Sequence, residues 1–427
     1  MALKRRSFLQ LSTVAASTGV FASMNSCSPG QEKSGVEKTE KLKPMTENAI
    51  PISLKEREAR IEKAQRLLVE SKMEALVLDA GTSLEYFTGI SWWPSERPLV
   101  AIIPAKGDVQ YVCPGFEESR LHELITIGKK VYAWQEDESP YKQIANALKD
   151  NSIRSGNIGM EERLRFFIFD GVRKEASHLN YVSGDPVSAE CRLIKSPAEL
   201  ALMQIANNIT VAAMKIGISS LKEGMSPQDF SDIVSSAHIQ LGATPDFAGV
   251  NFGEASAFPH GSIQPQKLKS GDVVLMDCGG RVGGYCSDVS RTIVFGAKPT
   301  RRQLEIWNLE QKAQAAGFAA AQLKNACENV DAAARKVLTD AGFGPDYKLP
   351  GLPHRTGHGI GMDTHEWGNM VRGNKQPLQP GMCFSVEPNI SIVGEFGVRL
   401  EDCVYMTEEG PKWFTQPSVS IDEPFAS

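Results

Sequence analysis

The segment most informative about the fold is GDVVLMDCGGRVGGYCSDVSRT, residues 271–292. Two apolar runs flank a glycine-rich turn, which predicts a β-hairpin. With the turn centred between Val282 and Gly283, antiparallel pairing places Asp277 directly opposite Asp288. Because like charges at directly opposite positions destabilise a sheet, this pairing favours a cation held between the two carboxylates.

A second hairpin of the same character follows near the end of the chain. Residues 382–392 and 397–406 are largely apolar, and a turn centred on Gly394 relates Glu387 to Glu401. Helix pairs are predicted before each hairpin, over 197–218 and 226–241 in the first case and over 301–322 and 327–341 in the second. The chain therefore shows two similar halves, typical of an internal duplication, with two acids on each hairpin.

Four histidines lie close in sequence to these hairpins: His260, His354, His358 and His365. The spacing of His354 and His358 is that of a helical zinc pair, but the glycines at 357, 359 and 361 argue against a helix. They favour a backbone held close to another segment. No H-E-x-x-H motif is present, which disfavours a zinc-helix peptidase. Carboxylates with one imidazole suit Mn²⁺, Co²⁺ or Fe²⁺ as well as Zn²⁺.

The region before the first helix pair reads as a separate α/β domain, residues 55–192. Leu54 to Ser71 has apolar residues at helical spacing, and residues 75–78 and 99–103 are short apolar runs that predict buried strands. Alternating strand and helix patterns favour a mostly parallel sheet covered by helices. Ser196, Pro197 and Glu199 form a helix-start signal, so an α+β domain is expected over residues 193–427.

Length and composition fit a globular protein of two domains and exclude some classes of protein. The 427 residues are 41% hydrophobic and 23% charged, which is ordinary for globular protein. A formal net charge of -5 provides no basic face for nucleic acid. The cysteines form no C-x-x-C pair, so a thiolate metal site is not expected.

The N-terminus predicts export. Residues 1–27 have a basic start with adjacent arginines at Arg5 and Arg6, followed by a mildly apolar run to Ala22, typical of a twin-arginine signal. Residues 28–54 form a polar tether. Cys27 closes a loose lipoprotein box, so two outcomes are open: a lipid anchor on Cys27, or cleavage near Ala22 and release as a soluble periplasmic enzyme.

Over roughly residues 55–410, the chain resembles the pita-bread metallopeptidases: proline dipeptidase, aminopeptidase P and methionine aminopeptidase. The motifs that carry the resemblance are "FPHGS", "GDVVLMDCGGRVGGYCSDVSRT", "HRTGHGIGMDTHE", "GMCFSVEPNI" and "GVRLEDCVYMTEEG". The earlier domain, with "SLEYFTGI", resembles the creatinase-type domain of the proline-directed members. The resemblance implies a pita-bread catalytic domain with a pseudo-two-fold repeat, and peptides with proline at the second position as substrates.

The resemblance also implies the roles of individual residues. Asp277 binds one of two divalent ions, Asp288 and Glu401 bridge both, and His358 and Glu387 complete the second; Mn²⁺ is the favoured ion. Paired ions can acidify a water and polarise the scissile carbonyl. Glu387 is then the candidate for passing a proton to the leaving nitrogen.

Other residues of the motifs are expected around this centre. The resemblance implies that His260 and His365 contact the substrate and the developing oxyanion, and that His354 lines the proline-side pocket. Arg399 is expected to orient Glu401 or to bind a substrate carboxylate. Trp92 and Trp93, in a loop that could reach a neighbouring subunit of a homodimer, either gate substrate length or only pack between domains.

Three alternatives remain open. A creatinase-like hydrolase would cleave C–N bonds without metal, and an inactive binding module would keep the fold without catalysis. Both are disfavoured because all five candidate ligands are present. The sequence does not separate a dipeptidase from an aminopeptidase that trims longer peptides.

Overall fold

The computed structural model describes residues 42–425, so the predicted export signal and Cys27 lie outside the described residues. The first region begins with a helix capped by Ser53, whose hydroxyl accepts from the Glu56 amide. Its elements are α1 (Leu54–Glu70), β1 (Met73–Asp79), α2 (Thr82–Thr88), β2 (Val100–Pro104), β3 (Gln110–Pro114), α3 (Glu118–Leu124), β4 (Lys130–Trp134), α4 (Pro140–Asp150), β5 (Asn157–Met160), α5 (Phe166–Glu175), β6 (Asn180–Ser183) and α6 (Asp185–Leu193).

The strands of this region form one sheet in the order β4-β3-β2-β1-β5-β6. The pairs β3–β4, β1–β5 and β5–β6 are parallel, as predicted for most of the sheet. The pairs β1–β2 and β2–β3 are antiparallel; the short segment 105–109 joins β2 to β3, whereas the longer segment between β1 and β2 contains α2. The region is thus an α/β layer with a mixed sheet.

The second region begins at the predicted helix start. The Ser196 hydroxyl accepts from the Glu199 amide, the Glu199 carboxylate accepts from the Ser196 amide, and Pro197 occupies the first helical position. Its elements are α7 (Pro197–Ser219), α8 (Pro227–Leu241), β7 (Thr244–Phe252), β8 (Val273–Val282), β9 (Tyr285–Cys286), β10 (Val289–Val294), α9 (Arg301–Ala320), α10 (Cys327–Asp340), β11 (Gly357–Gly359), β12 (Glu366–Met370), β13 (Cys383–Val386), β14 (Asn389–Ile392), β15 (Phe396–Arg399), β16 (Asp402–Thr407) and β17 (Gly410–Trp413).

The predicted duplication is visible in the order of these elements. The helix pair α7 and α8 precedes the sheet β10-β8-β7, and the helix pair α9 and α10 precedes the sheet β12-β11-β13-β16-β17. The second hairpin continues beyond that sheet as the pair β14–β15. A bridge between Ser290 and Glu401 joins the two halves at their centre. Each half therefore brings one hairpin to the same place.

The register of the first hairpin differs from the prediction by two residues. Asp277 pairs with Ser290 rather than with Asp288. The turn residues are Gly283 and Gly284, with φ of 58° and 87°. A two-residue turn that needs positive φ at both central positions selects the two glycines over Val282, and this choice moves the turn by one residue.

The second hairpin has the predicted register. In the pair β13–β16 Val386 lies opposite Asp402, and in the pair β14–β15 Asn389 lies opposite Arg399. Both pairings are centred on the turn at Gly394. Counting along either ladder places Glu387 opposite Glu401.

The hydrophobic core joins the two regions. One face of the first sheet, including Val77, packs with Ile144 of α4. The other face, including Leu78, belongs to a cluster that continues to Met203 of α7 and Phe230 of α8. Within residues 42–425, none of the helices combines the length and apolar character needed to cross a bilayer.

Candidate metal centre

The two hairpins bring their acidic residues to one buried place. Asp288 has the same strand parity as Ser290, the partner of Asp277, so the carboxylates of Asp277 and Asp288 share one face despite the shifted register. Asp288 and Glu401 are 4% and 1% exposed. The predicted juxtaposition of acids is therefore retained, with Asp277 and Asp288 as diagonal neighbours.

His358 reaches this place from β11, which pairs with both β12 and β13. A Cβ at Gly357 would lie 1.9 Å from the Ser385 carbonyl oxygen, and one at Gly359 would lie 1.6 Å from the Trp367 carbonyl oxygen. The glycines on either side of His358 thus permit a backbone approach that any side chain would block. This confirms the prediction that these glycines keep the backbone close to its neighbours.

The imidazole of His358 faces three carboxylates. Its Nε2 lies 3.2 Å from Glu387 Oε1, 3.6 Å from Asp288 Oδ2 and 4.0 Å from Glu401 Oε1. Its Nδ1 lies 3.1 Å from the Gly359 carbonyl oxygen, which can only accept, so Nδ1 carries the proton. Burial lowers the pKa of His358, and the neutral ring therefore presents the lone pair of Nε2 to the carboxylates.

This arrangement fits a divalent cation. Among residues 42–425, the buried oxygens Asp277 Oδ1, Asp288 Oδ1 and Glu401 Oε1 have no hydrogen-bond partner. The ligand atoms of Asp288, His358 and Glu401 lie within 4.8 Å of one another. Acceptor oxygens around an acceptor nitrogen repel each other unless a cation lies among them, and carboxylates with one imidazole are suitable ligands for such an ion.

The electrostatics of the acids point the same way. Burial, together with the charges of Asp277 and Glu387, raises the pKa of Asp288 well above its usual range. Burial and the neighbouring charge of Asp288 likewise raise the pKa of Glu401. Metal ligands must be deprotonated, so a bound cation would replace the protons that these acids otherwise keep.

Arg399 and Ser290 hold the acids in place. The Arg399 guanidinium forms an ion pair with Asp277 and lies 2.9 Å from the Ser290 hydroxyl, which donates to Glu401 Oε2 at 2.7 Å. Burial alone would lower the pKa of Arg399, but the charges of Asp277 and Glu401 outweigh it and raise the pKa. These are the contacts of a residue that orients carboxylates, which is one of the two roles expected for Arg399.

His365 lies beside the cluster on a loop that is anchored to the first region. Its ring centroid is 4.3 Å from that of His358. Desolvation and the charges of His358 and Arg355 lower the pKa of His365 to about 4. The loop is fixed at the adjacent Glu366, whose carboxylate pairs with Arg192 and, at 2.8 Å, with Lys195.

The other predicted residues occupy different surroundings. Burial lowers the pKa of His354, although the charge of nearby Glu387 acts in the opposite direction, and among the described residues its buried Nε2 has no hydrogen-bond partner. His260 is exposed and lines a cavity of about 510 Å³, and the neighbouring Pro259 carbonyl accepts from Arg399 at 3.4 Å. Trp92 and Trp93 line a separate cavity of about 470 Å³ in the first region, whose walls include none of the clustered acids.

One charged residue near the centre was not singled out from the sequence. Arg355 is half-buried, and its charge influences the pKa values of His358, His365 and Glu387. Its guanidinium donates to Asn369 Oδ1 at 2.8 Å, and among the described residues no carboxylate lies within ion-pair distance of it. A half-buried arginine paired only with a neutral amide retains the capacity to bind an anion.

The fold and the buried acids around His358 together define a class of protein. This class is the metal-dependent hydrolases built from two halves, each of which contains a helix pair and a hairpin. Two family models match the chain: "Creatinase/Prolidase N-terminal domain" over residues 60–194 and "Metallopeptidase family M24" over residues 201–408. The chain belongs to metallopeptidase family M24. It is a metallopeptidase with the pita-bread fold and a creatinase-type N-terminal domain, as the sequence predicted.

Relatives of the chain match over most of their own length. A peptidase of Schizosaccharomyces pombe, described as uncharacterized, is 36% identical over 86% of this chain and 82% of its own. A Xaa-Pro dipeptidase of Lactobacillus delbrueckii subsp. lactis is 31% identical over 84% of this chain and 98% of its own. The crystal structure of a prolidase from Thermococcus sibiricus matches with a TM-score of 0.77 at 30% identity, covering 84% of this chain and 97% of that one.

Proposed function

We propose that this metallopeptidase is a Xaa-Pro dipeptidase, which hydrolyses the bond between a first residue and a following proline. The observation that carries the proposal is the convergence of three carboxylates on the unprotonated nitrogen of His358. The proline preference is supported by relatives that are named Xaa-Pro dipeptidases.

The proposed ligands are the five residues predicted from the sequence. Asp277 would hold one ion, Asp288 and Glu401 would bridge two, and His358 and Glu387 would complete the second. Bound in pairs, divalent ions acidify a water and polarise the scissile carbonyl. Mn²⁺ is the proposed ion because a carboxylate-rich set with one imidazole suits it.

The remaining chemistry would be done by side chains of this chain. Glu387 Oε1 accepts from the Ser385 hydroxyl at 3.2 Å, so its other oxygen can take the proton of the attacking water and pass it to the leaving nitrogen. His365 is neutral at pH 7 and can donate its N–H to the carbonyl oxygen, where negative charge develops. His260 is proposed as a second donor and His354 as a wall of the proline pocket.

Arg355 supports a dipeptide rather than a longer peptide as substrate. A dipeptide carries its terminal carboxylate one residue beyond the scissile bond, close to the hydrolytic centre. Arg355 offers a positive charge beside that centre, where Arg399 is already occupied by Asp277. We therefore assign the substrate carboxylate to Arg355 and favour the dipeptidase over the aminopeptidase.

Residues outside the described part of the chain suggest where the enzyme works. Residues 1–27 carry the twin-arginine pattern, and Cys27 closes the loose lipoprotein box. We propose export to the periplasm, followed either by lipid anchoring at Cys27 or by cleavage near Ala22. We also propose that the enzyme forms a homodimer in which Trp92 and Trp93 lie near the neighbouring subunit.

Hydrolysis of Ala-Pro by metal-stripped protein, with and without added Mn²⁺, tests the proposed function. Turnover that appears only with metal is expected. Equal turnover without metal would favour creatinase-type chemistry, and metal-loaded protein without turnover on any Xaa-Pro peptide would favour a binding module. Comparing Ala-Pro with Ala-Pro-Ala-Ala separates the dipeptidase from the aminopeptidase, since preference for the tetrapeptide would contradict the assignment of Arg355.

A further inference from the structure

A chain of buried hydrogen bonds lies directly behind Asp288. The Ser287 hydroxyl is 2.8 Å from the Thr210 hydroxyl, which is 2.8 Å from Nε2 of His238. Thr210 lies on α7, His238 on α8, and all three side chains have no exposed surface. We name this chain, Ser287, Thr210 and His238, the hydroxyl relay.

The relay closes a break in the first hairpin. Ser287 and Asp288 lie between β9 and β10, outside the regular strands. The Ser287 amide donates to the Gly280 carbonyl at 3.0 Å, as in an antiparallel ladder. The Gly280 amide, however, donates to the Ser287 hydroxyl at 3.1 Å, where a regular ladder would use the Ser287 carbonyl. The serine side chain thus replaces a backbone acceptor at the residue before Asp288.

The proton positions in the relay follow from its ends. His238 Nδ1 lies 2.9 Å from the Val234 carbonyl, which can only accept, so Nδ1 carries a proton. In the neutral ring Nε2 is then an acceptor, and it takes the single proton of Thr210. Thr210 can then only accept from Ser287, whose single proton is shared between Thr210 and the Gly280 carbonyl oxygen 3.0 Å away, while a Ser287 lone pair faces the Gly280 amide. Every polar side-chain atom in the relay therefore has a partner, and the hydrogen bond from Thr210 to His238 has a fixed direction.

Asp288 depends on this support of its backbone because few hydrogen bonds hold its carboxylate directly. In residues 42–425, Asp288 Oδ1 is buried and receives no hydrogen bond. By contrast, Glu401 is held by Ser290, and Asp277 by Arg399. The position of the Asp288 carboxylate is therefore set by the backbone at residues 287 and 288.

We propose that the hydroxyl relay positions Asp288 for metal binding, so that Thr210 and His238 set metal affinity without contacting the metal. The proposal rests on the metal centre of the proposed function. Groups that orient a metal ligand from behind typically change metal affinity about 10- to 100-fold when they are removed.

The test is Mn²⁺ binding to metal-stripped, full-length protein, measured by titration calorimetry. Thr210→Val keeps the side-chain volume but removes the hydroxyl, and about 10-fold weaker binding is expected. Thr210→Ser retains the hydroxyl and is expected to bind within about twofold of wild type, although it removes a buried methyl group. If Thr210 acts by positioning Asp288, Mn²⁺ affinity should fall when the hydroxyl is lost in Thr210→Val and should be kept when only the methyl group is lost in Thr210→Ser.

Thr88→Val is the matched control for lost stability. Thr88 is equally buried, donates to the Leu84 carbonyl and accepts from the Ile90 amide, and it lies in the first region. Its variant should lose stability without a change in Mn²⁺ affinity. Wild-type affinity in Thr210→Val, or the same loss in Thr88→Val, would overturn the relay alone. Wild-type protein that takes up no Mn²⁺ would refute the metal centre and the relay together.

Discussion

Replacing Arg355 with methionine isolates the proposed recognition of the substrate carboxylate. Methionine keeps an unbranched stem and removes the charge. In the described residues, the guanidinium loses only its hydrogen bond to the neutral Asn369, so the free energy of unfolding should fall by no more than about 1 kcal/mol. The catalytic effect should be larger. A hydrogen bond to a charged group contributes about 1.5–3 kcal/mol, which corresponds to about a 10- to 150-fold loss in kcat/KM.

The assay compares Ala-Pro with its amide, Ala-Pro-NH2, in the Mn²⁺-loaded enzyme. Arg355→Met should lower kcat/KM for Ala-Pro by the full factor and leave the already low value for the amide nearly unchanged. Arg372→Met is the control, because Arg372 is exposed, follows β12 and forms its ion pair with the exposed Asp346. It should leave both values unchanged. Equal losses on acid and amide in Arg355→Met would refute the assignment, since the arginine would then act on something other than the carboxylate.

Three further predictions concern charge, pH and processing. Asp288→Asn replaces an acid that keeps its proton in the metal-free protein with a neutral amide of the same shape, so the two metal-free proteins should have nearly equal stability, while Mn²⁺ should raise the melting temperature of wild type only. Burial alone would raise the pKa of Glu366, but Lys195 and Arg192 outweigh it and lower the pKa to about 2. The ionised carboxylate therefore contributes about 3 kcal/mol to the free energy of unfolding, in full above its ordinary pKa near 4.5 and progressively less as pH falls towards 2. In urea unfolding, Glu366→Gln should lower the free energy of unfolding strongly at pH 7 and little at pH 2. Mass spectrometry of the mature protein should find an N-terminus at a lipid-modified Cys27 or just after Ala22, and a mature chain that keeps Arg5 and Arg6 would contradict export.

Local signals in the sequence were sufficient for much of the fold. The helix start at Ser196 follows from short-range capping chemistry, and the register of the second hairpin follows from one turn at Gly394. The error in the first hairpin came from placing Val282 at a turn position. A β-branched residue is strongly disfavoured at positive φ, so the adjacent glycines at 283 and 284 were the better choice on sequence grounds alone.

Other features depend on contacts that no local pattern encodes. Whether Arg355 is already paired depends on which acids fold near it, and Arg399 shows that a neighbouring arginine can be fully engaged. The hydroxyl relay joins Ser287 to Thr210 and His238, which are distant in sequence and belong to no motif. The antiparallel part of the first sheet likewise depends on which strands become neighbours.

Five side chains of the two hairpins and β11 are proposed to hold a pair of divalent ions. The most direct measurement is the number of Mn²⁺ ions bound per chain, determined by elemental analysis after reconstitution of wild type and of Glu401→Gln. Two ions are predicted for wild type, with a loss in the variant because Glu401 is proposed to bridge both. No stoichiometric metal in wild type, or two ions retained with full Ala-Pro turnover in Glu401→Gln, would contradict the account.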